Sequence, residues 1–223
     1  MKKLLLTFVL SAFYVTSASA DMGVNVGVTG SAGIFAASAS ESTGTVKKGN
    51  GTEHGSAGWG SVFAEASFND KFAIGIDYVP GALETDTTET AKSGISSVDA
   101  AGTITRATVT NKIQVDFEHL TTLYASMMFN DNFYAKAGVM TVDVITNENL
   151  GTGASYPDTE LDGTVFGIGY HNALDNGVFF RFEGNYRSFD GASVAATGTA
   201  ADNTIELRNL DGVSGSLSFG KTF

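Results

Sequence analysis

Apolar side chains recur at every second position through most of this chain, separated by small or charged residues. The clearest stretch is 178–187, where Val178, Phe180, Phe182, Gly184 and Tyr186 fall on one face, and Phe179, Arg181, Glu183, Asn185 and Arg187 fall on the other. Successive residues of a strand point to opposite faces, so this alternation predicts a strand with one greasy wall and one charged wall. The same period predicts strands at about 24–36, 58–68, 72–79, 112–129, 133–146 and 160–171, and a closing strand that runs to Phe223. In that last strand Val213, Gly215, Leu217, Phe219, Lys221 and Phe223 oppose Ser214, Ser216, Ser218, Gly220 and Thr222. Only the fourth strand is ambiguous: the phase is lost between His119 and Thr122, which a bulge would explain.

The connections alternate in length. Long polar stretches occupy 40–57, 82–111, 147–159 and 190–208, the second of them rich in Thr and Ser. Between them lie short turns at Asn69-Asp70, Asn130-Asp131 and Asp175-Asn176-Gly177, all residues that favour tight turns. The first two turns repeat one string, Phe68-Asn69-Asp70-Lys71-Phe72 and Phe129-Asn130-Asp131-Asn132-Phe133. Aromatics flanking each turn are what a membrane-interface girdle requires. Pro80-Gly81 ends the third strand, because proline cannot donate to a ladder. Eight strands with loops long on one side and short on the other predict an all-β fold: an eight-stranded antiparallel transmembrane β-barrel with short periplasmic turns and long extracellular loops.

Composition agrees with that reading. The chain has 27 Gly, 16 Phe and only 2 Pro, and beyond the first twenty residues it has no apolar run long enough for a membrane helix. Met1-Lys2-Lys3, an apolar run over 4–15 and Ala18-Ser19-Ala20 describe a secretory signal peptide, residues 1–20, followed by the barrel domain, 21–223. With no cysteine, a lipoprotein anchor and a disulfide framework are both excluded. Removing Lys2 and Lys3 takes the formal charge from −11 to −13, which argues against a nucleic-acid partner.

The closing strand, apolar on one side and ending on Phe223, resembles the carboxy-terminal signature of bacterial outer-membrane β-barrels. Lys221 departs from that pattern, which more often has an aromatic or apolar residue there. With the aromatic-flanked turns, the whole chain from residue 21 is similar in pattern to the small outer-membrane barrel family that includes the OmpA transmembrane domain and OmpX. The resemblance implies an outer-membrane location, contact with lipid and lipopolysaccharide, and an insertion signal at Leu217, Phe219 and Phe223 read by the barrel-insertion machinery. It implies neither a cofactor nor a particular surface partner.

Orientation decides the chemistry. With the apolar face toward lipid, Glu65, Asp77, Lys136, Arg181, Glu183 and Arg187 line the lumen, where they must pair to offset desolvation. Asp116 and Glu118 would add carboxylate if they joined. An eight-stranded barrel holds side chains inside rather than an open channel. The expected function is therefore structural, surface-interaction or small-pore, non-enzymatic, with a salt-bridged lumen. The reverse orientation would make a soluble ligand-binding barrel resembling lipocalins. A lipid-modifying enzyme is the other alternative, and needs an outer-rim His beside a Ser or Asp. His54, with Glu53 and Ser56, is the best placed; His119 lies in the ambiguous stretch and His171 on the turn side. Gly215 to Thr222 spells a P-loop string, but no helix can follow it. Glu84, Asp86 and Glu89 lack the spacing of a calcium loop, and Asn50-Gly51-Thr52 is a glycosylation string with no support in a bacterial barrel.

Overall fold

A computed structural model describes residues 22–68, 71–98, 102–150, 154–198 and 203–223. The signal-peptide reading lies outside the described residues, as do Asn69 and Asp70 of the first turn. Eight long strands form the wall: β1 (Met22–Thr43), β2 (Val46–Phe68), β3 (Phe72–Tyr78), β4 (Ile104–Met128), β5 (Phe133–Asn149), β6 (Thr159–Ala173), β7 (Val178–Phe189) and β8 (Asn203–Thr222). Each pairs antiparallel with the next, and β8 returns to β1, closing the ring. Phe223 and Val24 exchange backbone hydrogen bonds at that seam, at 2.9 and 3.1 Å. A closed ring has no edge at membrane depth, so every backbone group there is satisfied within the wall.

The short turns are built as their residues require. Asn130 accepts backbone N–H bonds from Asn132 and Phe133, both at 2.9 Å. Asn176 accepts one from Val178, and Gly177 takes the positive φ (79°) that lets β6 reverse into β7.

Outside the ring the apolar set is bare. Val28, Phe72, Phe133, Phe166, Ile168, Phe182 and Phe219 are each about half exposed or more, and Ile168 is 70% exposed. The alternate residues of the same strands face inward, Val165 and Phe179 with no exposure at all. A soluble carrier needs the opposite arrangement. Replacing Ile168 with arginine should therefore cost about 2–4 kcal/mol of folded stability in lipid, the penalty of a cation on the lipid-facing midplane. Denaturant unfolding in vesicles measures it; a change under 0.5 kcal/mol would mean Ile168 does not meet lipid.

Two sequence expectations need correction. The stretch 40–57 is a continuation of the wall: β1 and β2 stay paired as far as Thr43 and Val46, across a turn with Gly44 at φ 55°. Within 82–111, a strand Thr88–Val98 pairs with β4, and short ladders also form in the third and fourth connections. Residues 51–56 are exposed on both faces, so apolar alternation is no longer needed there while backbone pairing continues. The second correction concerns β4. The predicted bulge exists: the β4–β5 register shifts between Glu118 and Thr121, and His119 has φ 54°. The extra residue reverses the phase above it. Phe117 consequently packs into the interior, and Glu118, opposite Asp143, faces out with His119, which bonds Asp143 at 3.1 Å. Asp116 shares Glu118's face, so neither joins the lumen.

Candidate functional site: the sealed lumen

The inward residues of the wall form two layers. In the first, Glu65 on β2 is the hub, with 1% of its surface exposed. Arg181 on β7 meets it in a fork, Nη1 to Oε1 at 2.8 Å and Nη2 to Oε2 at 2.7 Å. The Tyr124 hydroxyl donates to Oε1 at 3.1 Å and the Asn25 amide to Oε2 at 3.2 Å. Each carboxylate oxygen thus accepts two bonds, which saturates an ionised Glu. The Arg181 guanidinium lies over the rings of Phe179, Phe63 and Tyr134, 4.6 to 5.7 Å from their centroids. Its Nε donates to Nδ1 of His171 at 2.9 Å. Arginine has only donors, so that Nδ1 carries no proton and the imidazole hydrogen sits on Nε2.

A second pair sits beside the first. Lys136 on β5 contacts Glu183 on β7, and Tyr134 donates to the other Glu183 oxygen at 2.8 Å. The third carboxylate, Asp77, accepts from Ser61 at 2.8 Å. The third cation, Arg187, is 6% exposed, lies over Trp59, and reaches Ser214 at 3.4 Å and the Met140 sulfur at 3.2 Å. Asp77 and Arg187 share a cavity of about 30 Å³ with Lys136 and Glu183. A space of that size holds a water or two, and no solute path. Three carboxylates face three cations, so the layer is formally neutral.

The second layer lies on the long-loop side and is apolar. Trp59, Val79, Leu120, Val142, Leu161 and Phe189 pack together, with Phe35, Phe117 and Leu207 against them. The six charged residues named from the sequence line one small cavity in the first layer, and the plug was not among the sequence expectations. Its residues come from the part of each strand beyond the lipid band, where outer-face alternation fades and gives no parity signal. Tyr124 was missed too, because the phase lost between His119 and Thr122 leaves its face unassigned in the sequence. On the turn side a cleft of about 540 Å³, lined by Asn25, Ser67, Ser126, His171 and Arg181, stops at the charged layer.

Of the other histidine candidates, His119 meets Asp143 at 3.1 Å on the outer face, while the remaining sequence candidates are not assembled. Glu53 and His54 are consecutive in β2 and point to opposite faces, both exposed, and His54 shares its face with Ser56. Glu89 is held by Lys112 at 2.5 Å, and the described residues contain no cluster of three metal-type ligands. Residues 215–222 lie within β8, as a P-loop could not.

No family model and no curated protein matches the chain. Solved structures do. Outer membrane protein OprG from Pseudomonas aeruginosa aligns with a TM-score of 0.53 at 12% identity, covering 90% of this chain and 96% of that one. AlkL, solved in lipid bilayers, gives 0.49 at 15% identity, covering 94% of each chain. The attachment protein Ail of Yersinia pestis gives 0.39 at 10%, covering 88% and 99%. Closed ring, apolar exterior and the likeness to OprG define the fold: a small eight-stranded antiparallel β-barrel of the outer-membrane type. The likeness is one of fold.

Proposed function

We propose that this protein is a non-enzymatic, non-conducting outer-membrane barrel that holds extended strand hairpins above the membrane for interaction at the cell surface. The observation that carries the reading is the double seal of the lumen. A solute would have to break the bidentate Arg181–Glu65 pair and then cross the packed layer around Trp59, Leu120 and Phe189. Breaking the first alone costs several kcal/mol, since each partner would be left charged and buried. Export through cleavage of residues 1–20, and recognition of Leu217, Phe219 and Phe223 by the insertion machinery, belong to the same reading. The outward position of Leu217 and Phe219 supports it. Lipid and lipopolysaccharide are the partners of the apolar wall.

Planar-bilayer recording tests the seal. The native protein is expected to give no channel events. Arg181→Ala alone is also expected to stay silent, because the apolar layer remains. Steady conductance by the native barrel would overturn the reading and make the charged layer a gate.

A further inference from the structure

On the side of the short turns the interior is not filled. Ser67, Ala73 and Ser126 form one register row across β2, β3 and β4, two residues nearer the turns than Glu65, Gly75 and Tyr124. Their side chains are too short to reach across the ring. They leave the cleft of about 540 Å³, which ends blind at the Glu65–Arg181 pair. That volume lies within the range of small-molecule sites.

Two cross-strand pairs build its floor. Asn25 stands opposite Glu65 in the β1–β2 ladder, and His171 stands opposite Arg181 in the β6–β7 ladder. The fork between Glu65 and Arg181 ties the two pairs together across the ring. Asn25 gives Nδ2 to Glu65, and the Oδ1 of this residue, 6% exposed, has no hydrogen-bond partner. A buried acceptor without a donor calls for one. His171 gives Nδ1 to Arg181, and among the described residues nothing accepts from its Nε2–H. The floor therefore holds one acceptor and one donor without partners. It holds no spare charge, because Glu65 and Arg181 neutralise each other.

This pattern selects by charge. A hydroxyl both donates and accepts, so hydroxyl groups satisfy Asn25 and His171 and also match Ser67 and Ser126 on the wall. A carboxylate or ammonium group would lose its water against no counter-charge. At the mouth Lys71 stands with Asp131 and Asp175, which gives an anion no net attraction.

We propose that the turn-side cleft binds a neutral, hydroxyl-rich molecule of sugar size from the periplasm. Asn25 Oδ1 accepts from one ligand hydroxyl and His171 Nε2–H donates to another. The site goes beyond the surface role proposed above: it lies on the other side of the seal and needs no passage through it.

The test titrates the refolded, full barrel in phosphocholine micelles, whose headgroups carry no sugar. The probes are glucose, glucosamine and glucuronate, which share one ring and differ in charge. Glucose is expected to shift the side-chain amide resonances of Asn25 and the Nε2–H of His171. Both charged sugars are expected to bind at least ten-fold more weakly. Ser126→Leu fills the cleft and leaves Glu65 and Arg181 in place, so it should abolish the glucose shifts while the heat-modifiable gel band persists. Ser67→Leu does the same from β2 and serves where the first variant does not refold. Equal binding of the three sugars would overturn the proposal, as would no binding of glucose. Tighter binding of glucosamine would make Asp131 and Asp175 the determinants, and tighter binding of glucuronate would make Lys71 the determinant; either overturns it. So would glucose shifts that survive in a refolded, cleft-filled variant.

Discussion

Arg181→Ala should lower the unfolding free energy of the barrel by about 3–5 kcal/mol, because it strands the Glu65 carboxylate in a site with 1% exposure. Tyr124 and Asn25 would still donate to Glu65, but two of its four bonds and the opposing charge would be gone. The rings of Phe63, Phe179 and Tyr134 would also lose the guanidinium that fills the space between them. The double substitution Glu65→Leu with Arg181→Met removes both charges at similar volume and should recover most of the loss, since a buried pair contributes little net stability over apolar replacements. Urea titration of vesicle-inserted protein, followed by loss of the heat-modifiable gel band, measures both. A single-variant loss below 1 kcal/mol would mean that Arg181 does not hold the lumen together.

The second large effect concerns one small residue. Gly27 of β1 faces inward, and a methyl there would fall onto the carbonyl oxygen of Phe219 and lie 2.5 Å from Cζ of Phe63. The carbonyl belongs to the β1–β8 seam and cannot yield without opening the ring. Gly27→Ala should therefore destabilise by about 1–3 kcal/mol or prevent closure altogether. Gly30, three residues further along the same strand, faces outward and would meet nothing within 4 Å. Gly30→Ala should stay within about 0.5 kcal/mol of the native protein. The fraction of refolded, heat-modifiable barrel separates the two; equal yields would show that β1 does not approach β8 as described. The contrast is useful because both residues are glycines in one strand, so backbone freedom alone predicts the same outcome for each.

Much of this arrangement is local and legible in the sequence. Strand parity is a property of neighbouring residues, so the outward set Phe166, Ile168, Phe182 and Phe219 and the inward set Glu65, Lys136, Arg181, Glu183 and Arg187 follow from counting by twos. Turn residues such as Asn130 and Gly177 likewise declare themselves, because few residues satisfy those backbone angles. The long loops were less legible. Above the membrane no apolar solvent imposes alternation, so 40–57 carries no period that would distinguish a paired strand from a coil.

By itself, then, the sequence determined the strand number, the connection rhythm and which wall meets lipid, since each depends on contacts within a few residues. Tertiary structure alone decided the rest. Arg181 chooses Glu65, 116 residues away, because closure of the ring places β7 across from β2. One extra residue at His119 reverses β4, expelling Glu118 and drawing in Phe117, which no count along the chain could place with certainty. The apolar plug arises in the same way: it depends on which strands remain neighbours at that level, and that is settled by pairing across the whole chain.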